Sequence, residues 1–568
     1  MDYKLLLARA LSGCAGLPEN EIAAMLETPP DSAMGDYALP CFKLARTLRK
    51  APPAIAAELA GAPMPEFVEK AQAMGGYLNF FIDKNSFAKD TLEAVGESYG
   101  GSDMGAGKTV VMDYSSINIA KPFHIGHLST TAIGNSLKRI YKFLGYDVVG
   151  VNHLGDWGTQ FGKLIVAYKK WGDDEEIERD SVRALLKLYV RFHEEAEKDD
   201  SLNDEGRAWF KKIEDGDEEA LSIFNRFKEL TLKEVAKVYK RLGVEFESYA
   251  GESFYNDKMQ PVIDELKEKN LLEYSDGAYV VRMDLGKDKD GKDAVPPCIV
   301  LKSDGTTIYA TRDLAAAFYR KKTYDFYKCL YVVAYQQNLH FKQVFRVIER
   351  MGYDWAKDLV HVSFGMVSLV DGTLSTRKGK VVFLEEVLDA AVAKTLQVID
   401  EKNPELPDKQ ETAEKIGVGA VVFSALSNSR IKDIVFDLEK VLNFDGETGP
   451  YVQYTHARAC SVLRKAGDEY GAVQPDYSAL TGAQAVEVLK LIKSFPEEVI
   501  RAHEKYEPSL ITRHVIDLAQ AFNRFYYDVR IIDEDTAATA ARLKLVDAVR
   551  QVIKTGLYLI GVEAPERM

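Results

Sequence analysis

Two histidines spaced by an isoleucine and a glycine, His124-Ile125-Gly126-His127, stand in the run Asn118-Ile119-Ala120-Lys121-Pro122-Phe123-His124-Ile125-Gly126-His127-Leu128. Imidazoles at the start of a helix can donate hydrogen bonds to phosphate oxygens, alongside the backbone N–H groups exposed there. Gly126 lacks a Cβ and lets backbone and ligand approach closely. The plainer reading is a pair of capping or packing histidines, and spacing alone leaves both readings open.

The flanking pattern says what must position this turn. Val110-Val111-Met112-Asp113-Tyr114 reads as a strand. Ile133, Leu137, Ile140 and Leu144 then recur at helical spacing up to Gly145, and Val148-Val149-Gly150-Val151 reads as a second strand. This is a β-α-β unit with parallel strands. A second unit follows far along the chain: a strand over 329–334, a helix over 341–351 ending at Gly352, and a strand over 359–364. A long, charged, mostly helical insert (about 165–300) separates the two. The expected class is α/β: a split doubly wound, Rossmann-type parallel sheet over 106–410, binding ligands outside the strand carboxyl ends. Residues 1–105 are expected to form a small α+β domain, with helical segments over 46–59 and 67–73 and a strand Tyr77-Leu78-Asn79-Phe80-Phe81-Ile82. Residues 411–568 read as an all-α bundle.

Composition narrows the classes. Of 568 residues, 46% are hydrophobic and 28% charged, which excludes wholesale disorder. The 73 basic against 87 acidic residues give −14, which taken alone leans away from nucleic acid. Net charge averages over faces that a partner never touches, so local patches decide. The five cysteines are scattered and form no C-x-x-C, so neither a disulfide framework nor a zinc site is expected. Asp288-Lys289-Asp290-Gly291 lacks the ligand spacing of an EF-hand. Leu11-Ser12-Gly13-Cys14 looks like a lipoprotein box, but Arg9 breaks the short apolar run before it. No stretch reaches the ~18 apolar residues of a bilayer span. A reducing cytoplasm is expected.

The histidine segment resembles the ATP-binding signature of class I aminoacyl-tRNA synthetases, and its surroundings resemble the arginyl-tRNA synthetases in particular. The resemblance runs through Ser115-Ser116-Ile117-Asn118, Asn152-His153-Leu154-Gly155-Asp156-Trp157-Gly158, Tyr309-Ala310-Thr311-Arg312-Asp313, Gln337-Asn338-Leu339-His340-Phe341, Leu374-Ser375-Thr376-Arg377-Lys378-Gly379 and the terminal Ala564-Pro565-Glu566-Arg567-Met568. It implies activation of L-arginine by ATP with Mg²⁺, release of pyrophosphate and transfer to the 3′ end of tRNA-Arg, with no resident cofactor or structural metal. A non-catalytic tRNA-binding paralogue and a small-molecule nucleotidylyltransferase are the rival readings.

The same resemblance implies residue roles. His124, Gly126 and His127 face ATP, with Met366 and Val367 toward adenine and Ser375 in the second signature. That signature has lost both lysines usual in the class, so Lys121 is expected to supply the cation, assisted by Arg377 or Lys378. Lys121 as a plain surface lysine is the alternative. Asp313 and Tyr309 are expected to face the guanidinium, with Asp113 and Ser115 in the pocket and Asn118 and Gln337 at the α-amino end. Asp313 precedes a helical run, so an N-cap is its alternative role. His153 and Asp156 either serve the site or brace its turn. Ile117 and Ser129 depart from the proline and arginine common in the family.

For tRNA, the resemblance assigns residues 1–105 to the elbow, or D-loop, through Arg46, Tyr77 and Asn79. The helical domain at 411–568 is assigned to the anticodon. Tyr451, Tyr454 and Arg458 fall at i, i+3 and i+7 of one helix face, where stacking and phosphate contact compete with ordinary core packing. Met568 closes the terminal motif. A monomer is expected, with no DNA or membrane partner.

Overall fold

The computed structural model describes residues 3–286, 289, 294–369 and 382–568. The chain divides into two compact units: Gly100–Ala457 with Pro496–Ile516 and Lys554–Met568, and Met1–Tyr99 with Arg458–Phe495 and Asp517–Ile553.

The larger unit is built on a four-stranded parallel sheet ordered Leu359–His361, Lys328–Tyr331, Thr109–Asp113, Asp147–Val151. Chain order and spatial order reverse between Thr109–Asp113 and Lys328–Tyr331. This is the switch point at which doubly wound sheets open a crevice. Asp113 pairs in register with Tyr331 there, so the chains leaving both strands emerge side by side. Helix Leu128–Phe143 lies behind the sheet and is buried along most of its length, including Ser129, Thr130, Thr131, Asn135 and Ser136. Gly134 is required in that helix, because a Cβ would come within 2.3 Å of the Tyr114 ring.

The insert is helical through Glu218–Leu242 but ends in a feature absent from the sequence reading. Glu273–Ser275, Ala278–Val281 and Cys298–Lys302 form a three-stranded antiparallel sheet. Its first hairpin turns on Asp276 (φ 50°) and Gly277 (φ 78°), an Asp-Gly pair suited to a type I′ turn. A further parallel pair joins Val367–Leu369 to Ile434–Phe436.

In the smaller unit, helices Tyr3–Ala15 and Pro52–Ala60 pack Leu7, Leu11, Ile55 and Leu59 with Leu39, Leu78 and Phe80 of an antiparallel sheet. The sheet order is Tyr37–Pro40, Tyr77–Ile82, Val68–Met74. This corrects the helix expected over 67–73. Its Lys, Ala and Gln residues favour helix, but the Gly75-Gly76 turn folds the segment against Tyr77–Ile82 as a hairpin. Pairing outweighs propensity here. The carboxyl-terminal part of the chain is helical: Gly449–Ala466, Ala483–Lys505, Ser509–Asp528 and Thr536–Leu559. Among the described residues, no helix is long and apolar enough to cross a membrane.

Candidate active site

The histidine turn leaves the sheet at Asp113, bends through Tyr114–Phe123 as loop, and closes as a 3-10 turn, Ile125–His127, that runs into helix Leu128–Phe143. The backbone N–H of Gly126 donates to His124 Nδ1 at 3.0 Å, and that of His124 donates to His127 Nδ1 at 3.2 Å. With Nδ1 accepting in both rings, the ring hydrogen of each neutral imidazole sits on Nε2. Capping and ligand donation are therefore compatible: one nitrogen caps, and the other keeps a hydrogen to donate. Burial, reinforced by the charge of Lys121, lowers His124 to about 4. Burial, His124 and Lys121 lower His127 to about 3, against a weaker opposing hydrogen bond. Both rings are neutral at physiological pH, and the positive charge of Lys121 adds a little to the lowering of each. Lys121 lines a cleft with Phe123, Arg183, Val235, Val238 and Phe383, and with the acidic Asp180, Glu234 and Glu385.

Ser375, Arg377 and Lys378 lie outside the described residues. The Val382 carbonyl accepts from Ile125 N at 3.3 Å, and Leu384 N donates to the Phe123 carbonyl at 2.9 Å. The segment following the second signature is thus tied to the histidine turn.

The path to the histidines contains Ser115 (φ 69°), Ser116 (φ 46°) and Ala120 (φ 58°), none of them glycine. Such left-handed residues cost about 1–2 kcal/mol each and persist only where neighbours over-determine them. Ala120 N donates to Thr231 Oγ1 at 2.9 Å, and Ile119 N and Gly155 N exchange bonds with the Gly155 and Ile117 carbonyls. Gly155 must be glycine, since a Cβ would lie 2.2 Å from Asn118 Oδ1. Ser115 is 2% exposed, with its hydroxyl between Thr131 Oγ1 (2.9 Å) and Tyr239 OH (2.7 Å). It supports the turn from within rather than lining a pocket. Ile117 and Ser129 are likewise core residues, so the two departures from the family pattern bear on packing rather than on phosphate contact.

Across the switch point, helix Tyr309–Tyr324 presents Tyr309 in its first turn, 56% exposed, and Asp313 one turn on. The helix starts at Tyr309 with Ile308 as N-cap, which rules out the capping role for Asp313. His340 Nε2 meets Asp313 Oδ2 at 2.6 Å, and the Tyr309 ring lies 4.7 Å from the His340 ring. Burial pushes the Asp313 carboxyl up, but the His340 bond and the charges around it prevail and hold it below the usual range. It is a fixed carboxylate. Asp113 has another occupation: its Oδ2 pairs with Arg320 Nη2 at 2.8 Å, and its Oδ1 accepts from Ser116 Oγ at 2.8 Å. Arg320 is 1% exposed, so this is an internal ion pair and not an open carboxylate awaiting a ligand. His153 lies between Arg320 Nη2 (3.3 Å) and Asp313 (3.9 Å), kept neutral mainly by burial. Asp156 is a brace, held by Lys228 Nζ at 2.6 Å and by Ser253 N and Oγ. Asn118 sits over Gly155, and Gln337 is exposed in the turn Tyr335–Gln337 after the central strand.

One carboxylate escaped the sequence reading. Burial raises Glu252 to about 7, countered by Arg312 at 3.4 Å and reinforced by Asp313 and Asp156. No motif marks Glu252; only folding brings it to Arg312, the sequence neighbour of Asp313. Of the two residues expected toward adenine, Met366 N donates to Asp433 Oδ1 at 2.7 Å and its carbonyl accepts from Ile434 N, while Val367 pairs with Ile434. The backbone of Met366 is thus engaged within the chain, leaving its exposed side chain for apolar contact.

Of the residues assigned to tRNA, Arg46 and Tyr77 are exposed, with Tyr77 packed edge-on against Phe42. Asn79 is 4% exposed with its amide on Met74 Sδ at 3.3 Å, so it serves the sheet interior rather than the surface. Helix Gly449–Ala466 carries an exposed Tyr454 and half-buried Tyr451 and Arg458, and Arg458 bonds Asn523 and lies over the Tyr526 ring. The Met568 carbonyl accepts from Asn403 Nδ2 at 3.1 Å.

Comparison with known proteins agrees along the whole length. The profile described as tRNA synthetases class I (R), catalytic domain, matches residues 92–438. That of the arginyl tRNA synthetase N terminal domain matches 1–82, and that of the DALR anticodon binding domain matches 452–568. The arginine–tRNA ligases of Alkaliphilus metalliredigens and Clostridioides difficile are each 54% identical, over 100% of both chains. The solved arginyl-tRNA synthetase of Thermus thermophilus superposes with a TM-score of 0.82 at 27% identity, covering 100% of this chain and 99% of that one.

Proposed function

We propose, since this chain belongs to the arginyl-tRNA synthetase family, that it activates L-arginine with ATP and passes it to the 3′ end of tRNA-Arg. The observation that carries the reading is the pairing, across one switch point, of two neutral histidines beside a lysine with a fixed carboxylate facing the opposite strand end. Intact Lys121, His124 and His127 speak against the paralogue without catalysis, and the tRNA-type flanking domains against a small-molecule nucleotidylyltransferase.

In this reading Asp313 and Glu252 receive the guanidinium, whose planar fork suits paired carboxylates, with Tyr309 at the mouth. Asn118 and Gln337 hold the α-amino end. Asp113 and Ser115 contribute one layer back, through Arg320 and through the turn. The arginine carboxylate attacks the α-phosphorus and pyrophosphate leaves. Charge growing on the phosphates is met by Lys121 and by His124 and His127 Nε2–H, which are prearranged and need little reorganisation. Gly126 keeps the backbone clear, the Met366 and Val367 side chains border adenine, and Ser375, Arg377 and Lys378 are assigned to the phosphates by family resemblance alone. Mg²⁺ enters as part of the substrate on ATP.

For tRNA, residues 1–105 take the elbow through Arg46 and Tyr77, 106–410 hold the catalytic site, and 411–568 take the anticodon through Tyr451, Tyr454 and Arg458. Met568, tied to Asn403, orders the carboxyl terminus of that region. The protein acts as a cytoplasmic monomer. The test is charging of total tRNA with each labelled amino acid: arginine alone is incorporated, and incorporation of another amino acid, or of none, refutes the reading.

A pH effect follows from Glu252. Below about 7 its carboxyl is protonated, and above it a second negative charge joins Asp313. The KM for arginine should therefore fall roughly fivefold from pH 6 to pH 8, and Glu252→Gln should flatten that dependence. A profile unchanged by the substitution places the titration elsewhere. The two histidines, at about 4 and 3, add nothing to the profile in this range.

A further inference from the structure

A series of buried hydrogen bonds reaches the histidine turn from the insert, and its direction is dictated at every member. Thr131 Oγ1 donates to the His127 carbonyl at 2.8 Å. Its one proton is used there, so it meets Ser115 Oγ, 2.9 Å away, as an acceptor. Ser115 then donates to Thr131 and must accept from the Tyr239 hydroxyl at 2.7 Å. Tyr239, having donated to Ser115, accepts from Asn152 Nδ2 at 2.9 Å. The series runs one way, from Asn152 through Tyr239, Ser115 and Thr131 to the main chain of the second histidine, and all four side chains are buried. Bonds aligned in this way reinforce one another.

Tyr239 stands on the insert helix Glu218–Leu242, and so does Thr231, whose Oγ1 accepts from Ala120 N and donates to the Phe227 carbonyl at 2.7 Å. The helix thus grips the turn at Ser115 and at Ala120, two of its three left-handed residues. The sheet supplies the strand end from which the turn departs; Thr130 and Thr131 of the following helix and Tyr239 and Thr231 of the insert supply the side-chain restraints.

We propose that Tyr239 is a positioning residue for adenylate formation: through Ser115 and Thr131 its hydroxyl sets the aim of His127. The inference rests on the activity proposed above and deepens it, by making the insert part of the catalytic geometry rather than a peripheral elaboration.

Tyr239→Phe keeps the ring, which packs 5.4 Å from Phe123 and 5.2 Å from Phe246, and deletes only the hydroxyl. It leaves Ser115 and Asn152 without their shared partner in the core. The kcat of arginine-dependent ATP–pyrophosphate exchange should fall about tenfold or more, with the KM values for arginine and ATP within about twofold of unmutated protein. Thr131→Val should lose a similar factor and Thr131→Ser should retain activity, because only the hydroxyl matters. The double variant Tyr239→Phe/Thr131→Val should lose little beyond the worse single, as members of one series do. A Tyr239→Phe kcat within about twofold of the original, or a double variant whose loss is the product of the singles, overturns the proposal. If Tyr239→Phe does not fold, equal kcat in Thr131→Val and Thr131→Ser overturns it. Absence of arginine-dependent exchange in the unmutated protein with tRNA present overturns the proposed activity and this inference with it.

Discussion

Replacing Lys121 with methionine should lower arginine-dependent ATP–pyrophosphate exchange by about a thousandfold while tRNA affinity stays within about twofold. The class pattern places cationic lysines in the second signature, and here Thr373-Leu374-Ser375-Thr376-Arg377 has lost both. A transition state that moves negative charge onto pyrophosphate still requires a cation in the site. Lys121 is the cation to which both signature histidines respond, since its charge helps to lower each of them. The histidines cannot replace it, because they are neutral. Methionine keeps the length and loses the charge, so binding of tRNA through other surfaces has no reason to change. If exchange in Lys121→Met stays within about threefold of the original, the cation lies elsewhere. Arg377→Ala and Lys378→Ala are then the variants to show the loss.

Asp313→Asn should raise the KM for arginine by roughly a hundredfold or more, about 3 kcal/mol, the scale for removing one partner of a desolvated charge pair. The side chain keeps its shape, and its amide oxygen can still accept from His340 Nε2, so the local packing stands. What disappears is the ionised carboxylate that the His340 bond keeps below the usual range. The ATP KM should move little, because the phosphate side of the switch point is built from the other strand end. Glu252→Gln should be milder, since Glu252 is only part ionised near neutrality. An arginine KM unchanged in Asp313→Asn would remove the carboxylate from substrate recognition.

Much of this site was legible as residue order. A histidine turn between a strand and a helix is a local feature, and so is the second β-α-β unit; together they locate the switch point. What the order of residues hid is pairing at a distance. Asp113 looked like a free acid in the pocket because Arg320, which occupies it, lies far along the chain. Ser115 looked like a ligand because nothing local shows its hydroxyl held between Thr131 and Tyr239. Glu252 had no motif to mark it. Asn79 alternates with Tyr77 in sequence, but it sits buried on the central strand with its amide on Met74 Sδ. The strand Val68–Met74 was misread for a related reason: local propensity pointed to helix, and the hairpin partner decided otherwise. The Asp276-Gly277 turn, by contrast, was visible in the sequence and was overlooked within a charged insert.

The net charge of −14 leaned away from nucleic acid, yet the chain belongs to a tRNA-ligase family, so whole-chain charge alone does not set the partner. The central claim is that the histidine–lysine turn and the Asp313 pocket form one active site for arginine activation. Its most direct test is ATP–pyrophosphate exchange with the purified chain, scanned over all amino acids with and without tRNA. The account predicts exchange with arginine alone, obtained in full when tRNA is present and lost in Lys121→Met. Exchange with a different amino acid, or tight tRNA binding with no exchange under any condition, would contradict it.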